Sequence, residues 1–211
     1  MATSEGPRSV KIGDDERTGW SSERPRREGG PPRPVDVSVR SRILRPSDRL
    51  NYSPGSLLLV TGAKAAEVDA FLDRRIEEKG IVFSLSKIRA LLAGRVPEEQ
   101  IEDKARELQG AAITKRMGAG QTAVVALETL DPAERNHFVL MAHRNRRPRH
   151  LILVEAPKDQ VGEEERGPID ALRIALDANE LGAEGFNTAL RISGAAIPEL
   201  KRIVFRPLQA D

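Results

Sequence analysis

Leu57-Leu58-Leu59-Val60-Thr61-Gly62-Ala63-Lys64-Ala65-Ala66-Glu67-Val68-Asp69 is the stretch that decides the fold. Its first four residues form an unbroken apolar run and Gly62 closes it, the pattern of a strand buried on both faces. Val68, Phe71, Leu72 and Ile76 then recur at helical spacing, with Gly80 placed to end that helix. The alternation continues downstream. Ile81-Val82-Phe83 reads as a strand, Ser86 to Ala93 as a short helix, and Pro97 opens a long helix to about Met117. Thr122 to Leu127 is a strand, Asp131-Pro132 caps and starts a helix through about Arg144, and Leu151 to Val154 is a strand. Pro168 to Leu181 is helical and Thr188 to Ile192 is a further strand. Strands alternating with helices of this length predict a mostly parallel five-stranded sheet with helices on both faces, a three-layer α/β domain. In such sheets ligands bind beyond the carboxyl ends of the strands. The loops after Val60, Phe83, Leu127 and Val154 are therefore where a site is sought.

Upstream of this block the pattern differs. Val35-Asp36-Val37-Ser38-Val39 alternates with period two, as a half-buried strand does. Arg42 to Pro46 and Arg202 to Pro207 are similar strings, each stopped by a proline as an edge strand is. Residues 1–34 are dense in Pro, Gly, Arg and Glu toward their end. Such a segment buries too little apolar surface to offset its ordering entropy, so a disordered tail is predicted ahead of a domain spanning 35–211. Trp20 stands in that tail near Arg24, Arg26 and Arg27, either as a docking anchor for a partner or as an exposed residue without a role.

Composition narrows the function. There are no cysteines, which excludes disulfides and thiolate metal sites and fits a reducing, cytoplasmic setting. No apolar run approaches the ~20 residues of a membrane span, and Met1 to Ser9 lacks the apolar core of a secretory signal. A net charge of +2 permits contact with nucleic acid without arguing for it.

The turn after Val60 carries the chemistry. A phosphate-binding loop is a strand, then G-x-x-x-x-G-K-[ST], then a helix. Backbone N–H groups wrap the phosphates, the Lys adds charge and the hydroxyl holds Mg²⁺. Here Gly62 occupies the first position, but Glu67, Val68 and Asp69 stand where Gly, Lys and Ser/Thr belong. Two carboxylates face the polyphosphate, and at ~4 Å with an effective dielectric near 20 each such contact costs about 4 kcal/mol before screening. Lys64 is the one cation left in the turn.

From Ser56 to about Ile192 the chain resembles the P-loop kinases related to bacteriophage polynucleotide kinase and the zeta-toxin kinases. Ser84-Leu85-Ser86-Lys87-Ile88-Arg89 is similar to the family's S-x-D-x-x-R, with Ser84 and Arg89 matching and Ser86 in place of the Asp that acts as base. Val124-Val125-Ala126-Leu127-Glu128-Thr129 is similar to V-V-D-A-T-N, with Ala126 in place of the Walker-B type Asp. Pro132-Ala133-Glu134-Arg135 resembles the P-x-x-R helix, and the strand His150 to Pro157 and Ala183 to Phe186 also look like family segments. The resemblance implies the kinase-like fold, and its substitutions imply a catalytically degenerate member without ATP or Mg²⁺. Such a protein acts by interaction, as an accessory or scaffold subunit of a larger assembly, with a partner, protein or nucleic acid, engaged in part through the tail. Two alternatives stand beside it. One is a working phosphotransferase using Lys64, Arg89 and Arg135. The other is a nucleic-acid-binding module led by Arg144, Arg146, Arg147 and Arg149, a run that lacks aromatic neighbours for base stacking and also reads as a solvated helix end. Arg166 and Arg173 read as remnants of a kinase lid or as part of an acid-led helix start at Glu163-Glu164-Glu165. His137, His143 and His150 are not at metal-ligand spacing.

Overall fold

The computed structural model of the chain describes residues 49–194 and 196–207. The expected strand at Val35 to Val39, the Arg42 to Pro46 string and the Trp20 tail lie outside the described residues. Seven strands are seen among those described: β1 (Arg49–Tyr52), β2 (Leu57–Gly62), β3 (Val82–Ser84), β4 (Ala123–Ala126), β5 (Arg149–Glu155), β6 (Thr188–Ser193) and β7 (Arg202–Phe205). The helices are α1 (Ala65–Arg75), α2 (Leu85–Leu92), α3 (Glu98–Gly118), α4 (Pro132–Arg144), α5 (Glu163–Asp177) and the single turn α6 (Ala196–Glu199).

The main sheet runs β3-β4-β2-β5-β6 and every pairing in it is parallel. β2 is central and all six of its residues are buried, as an apolar run flanked by strands and covered on both faces must be. Because successive side chains point to opposite faces, Leu57 and Leu59 pack with Ile113 and Met117 of α3, Phe138 of α4 and Leu172 of α5. Leu58 and Val60 pack on the other side with Val68, Phe71 and Leu72 of α1. Each of these fully buried leucines contributes on the order of 1.5–3 kcal/mol. The result is the predicted three-layer α/β fold, compatible with a P-loop-like fold. The chain leaves β2 toward β3 but leaves β4 across β2 toward β5, so the winding direction reverses beside β2. That reversal opens a crevice at the carboxyl ends of the central strands.

Several boundaries differ from the sequence reading. α1 ends at Arg75, and Gly80 instead lies in a 3-10 turn, Lys79–Ile81. α5 starts at Glu163, so Pro168 stands inside it; three acidic residues in the first turn favour that earlier start through the helix dipole. β7 pairs with β1, a strand the reading missed, in a separate parallel ribbon joining Arg49 to Arg202 and Tyr52 to Phe205. The start of α4 is as read: Asp131 accepts from the Ala133 amide at 2.8 Å, with Pro132 in the first turn.

Candidate functional site

The turn between β2 and α1 is shorter than its sequence suggests. Only Ala63 and Lys64 separate the strand from the helix, and Glu67, Val68 and Asp69 already lie in α1. Val68 is fully buried in the core, so its aliphatic side chain serves packing. Glu67 is exposed and pairs with Lys64 at 3.5 Å. Gly62 is required by close approach. A Cβ there would sit 2.8 Å from the Val154 carbonyl oxygen of the neighbouring strand and 3.2 Å from a Val68 methyl.

Asp69 turns away from this loop toward β3. Its Oδ2 accepts from Ser84 Oγ at 2.9 Å and from Ser86 Oγ at 2.5 Å, and the two hydroxyls lie 2.8 Å apart. Its other oxygen, Oδ1, is buried without a hydrogen-bond partner among the described residues. The residues read separately as loop and strand-end motifs thus form one hydroxyl–carboxylate cluster linking α1, β3 and α2. Ala126, at the end of β4, is buried against the α1 side of the sheet.

The arginines read as cleft remnants are both occupied. Arg89 binds two carboxylates at once: Nε and Nη2 donate to Glu102 at 2.6 and 3.1 Å, and Nη1 and Nη2 donate to Glu128 at 2.5 and 2.6 Å. Hydrogen bonds from Glu128 and then Glu102 hold the guanidinium pKa well above its ordinary value, and Arg89 in turn lowers that of Glu102. Arg135 is 3% exposed; Nε and Nη2 each donate to Glu184 at 3.0 Å, and Nη1 donates to the Leu130 carbonyl at 2.7 Å. Arg173 donates to Glu155 at 2.5 Å and to Asp170 at 2.8 Å, and the Glu155 hydrogen bond raises its pKa. Arg166 is exposed beside a hollow it shares with Arg173 and Asp159.

The basic run lies at the amino end of β5, away from the carboxyl-end crevice, and it is not one surface. Arg149 is buried, donating to the Gly185 carbonyl at 2.5 Å, and burial lowers its pKa. Arg147 donates to the Met117 carbonyl at 3.1 Å, while Arg144 and Arg146 are exposed. His150 is buried against Tyr52, ring centroids 4.5 Å apart, with Nδ1 2.7 Å from the Thr188 hydroxyl. Burial, with the charge of Arg149 second, pushes its imidazole down to about 4, and burial raises the Tyr52 phenol. Trp20, Arg24, Arg26 and Arg27 lie outside the described residues.

A cleft of about 700 Å³ opens at the carboxyl end of the sheet, lined by Gly62 and Ala63, the loop Glu128 to Pro132, Arg135, Glu184 and one face of α5. Its floor is Leu130, Leu172, Ala171 and Ala175, and its rim carries Asp131, Glu164 and Glu165. Sequence reasoning missed this face of α5. Its signal was present, since Glu164, Pro168, Ala171, Leu172 and Ala175 fall on one helical stripe. Glu102 carried no local signal, and Glu184 stood inside the quoted Ala183 to Phe186 segment with nothing to mark it as the partner of Arg135. Among the described residues no group of three or more His, Asp or Glu is placed to hold a metal ion, and no helix is long and apolar enough to cross a membrane.

Fold and cleft together define a three-layer parallel α/β domain with an acid-rimmed crevice at the strand ends. No protein-family model matches the sequence, and no curated protein matches it.

Proposed function

We propose that this is a catalytically degenerate P-loop-kinase-like domain that works by binding a protein partner, as an accessory or scaffold subunit of a larger cytoplasmic assembly. The observation that carries the reading is that Arg89 and Arg135, the cations a phosphotransferase would aim at phosphate, are each neutralised by carboxylates of this same chain. Phosphoryl transfer is almost entirely positioning and charge neutralisation. A guanidinium already bound by one or two carboxylates has little positive potential left to offer.

Two further features support it. A two-residue turn supplies too few successive amides to wrap a triphosphate. The rim of the crevice is acidic where a polyphosphate would enter. The residues present therefore do not fit Mg·ATP, and the reading uses neither nucleotide nor metal. The absence of cysteine agrees with a reducing compartment.

The test is a pair of assays on the full chain. Incubation with labelled Mg·ATP and a 5′-hydroxyl oligonucleotide is expected to give no labelled product. Affinity capture from the native cell is expected to recover a defined partner that stays bound through gel filtration, and to lose it when residues 1–34 are removed. Transfer of label to the oligonucleotide would contradict the reading.

A further inference from the structure

Resting on that reading, we infer that the cleft between α4 and α5 seats a basic amphipathic segment of the partner protein. The apolar side chains of that segment lie on the Leu130, Ala171, Leu172 and Ala175 floor, and its Lys or Arg residues meet the Glu164 and Glu165 rim.

Three observations converge on this occupant. First, the floor is apolar and made partly of alanines, so a helix or extended strand can approach the α5 backbone closely. Second, the charge is one-sided. Five carboxylates line the cleft, from Glu128, Asp131, Glu164, Glu165 and Glu184, against the single cation Arg135, which is buried and bonded to Glu184. Glu128 and Glu184 are spent on arginines, whereas Glu164 and Glu165 form no ion pair among the described residues. Clefts lined by one sign of charge with low-dielectric walls focus their field and draw in the opposite charge. Third, Pro168 lies inside α5 and brings no N–H, so the Glu164 carbonyl lacks the donor that the helix would place there. Both residues line the cleft. The wall thus combines carboxylates unpaired among the described residues with a backbone acceptor that the helix itself leaves without its usual donor, a combination that suits a cation carrying several N–H groups. Nucleic acid and acidic peptides bring negative charge to a rim that is already negative.

The experiment uses the full chain and a fluorescein-labelled Leu/Lys amphipathic peptide of about 18 residues, above the length at which isolated helices are marginal, with a Leu/Glu peptide of the same pattern as its opposite. Fluorescence anisotropy is expected to show binding of the Leu/Lys peptide only. Glu164→Lys combined with Glu165→Lys should weaken it about tenfold or more, and Ala171→Trp, which fills the floor, should do the same. Ala171 is exposed, so Ala171→Trp should keep the parent melting temperature, whereas the double lysine variant loses favourable charge at the start of α5 and should melt slightly lower while still unfolding cooperatively. Arg146→Glu at the opposite end of the sheet should leave affinity unchanged. Equal binding of both peptides, or Leu/Lys affinity unmoved by Ala171→Trp, would overturn the assignment. So would self-association abolished by Ala171→Trp, which would give the cleft to a second copy. A parallel titration separates the two levels: stabilisation by Mg·ATP would overturn the functional reading beneath this one, whereas no stabilisation and no Leu/Lys binding would overturn the cleft assignment alone.

Discussion

Arg89 and Glu128 are joined end to end, Nη1 to Oε1 at 2.5 Å and Nη2 to Oε2 at 2.6 Å, and the same guanidinium also holds Glu102. One side chain thereby ties α2, α3 and the loop after β4 at the mouth of the crevice. Arg89, which the sequence marks as a cleft residue, closes a structural junction.

Arg89→Ala should therefore lower stability rather than merely alter a surface. It removes charge-assisted hydrogen bonds and leaves Glu102 and Glu128 facing each other, a loss of about 1–3 kcal/mol. Urea denaturation would show a lower midpoint. Because Glu128 is the better buried partner, a double-mutant cycle of Arg89→Ala with Glu128→Ala should give a coupling clearly above zero.

Arg135→Met is the deeper test of the same kind. Arg135 is almost fully buried, and its removal strands the Glu184 carboxylate and the Leu130 carbonyl. Glu184 is partly exposed and regains some solvation, so the expected cost is about 2–3 kcal/mol, below that of breaking a fully buried pair. Pairing Arg135→Met with Glu184→Leu should recover part of that loss in the same denaturation assay.

Gly62→Ala should destabilise by about 1–3 kcal/mol, since the added methyl meets the Val154 carbonyl and the backbone of a central strand must move. Gly80→Ala is the control. Its Cβ would meet nothing within 4 Å, and stability should hold or rise slightly. Thermal melts of the two variants separate a packing glycine from an incidental one.

Acid should weaken the fold through His150. Its folded pKa lies near 4, below the ordinary 6.5, because burial against Tyr52 and the charge of Arg149 disfavour the imidazolium. The unfolded chain thus binds the extra proton between those values. The contribution is fully present above about pH 6.5 and fades as pH falls, the loss reaching up to about 3 kcal/mol by pH 4. His150→Gln should flatten the stability-versus-pH curve over that window.

The fold was legible because its signals are local. The apolar runs of β2, β4 and β5, Asp131-Pro132 ahead of α4 and the helical spacing of Val68, Phe71 and Leu72 each stand within one element. The site was legible only in part. Arg89 and Arg135 could be marked, but what holds them lies far along the chain, at Glu128 and Glu184, and no periodicity links residues that tertiary packing alone brings together. Asp69 could be marked as a misplaced acid in a phosphate loop. Its bonding to Ser84 and Ser86 depends on α1 starting at Ala65, which shortens the turn and points the carboxylate toward β3. The ribbon of β1 with β7 was missed for the same reason, since its partner strands are the first and last described.

Thermal denaturation of the full chain with and without millimolar Mg·ATP bears most directly on the proposal that the crevice does not bind a nucleotide. A ligand that binds the native state raises the melting temperature in proportion to its saturation. With Arg89 and Arg135 neutralised and a two-residue turn after Gly62, the expected melting temperature is the same in both samples. A rise of several degrees that requires Mg²⁺ and disappears in Lys64→Ala would contradict it.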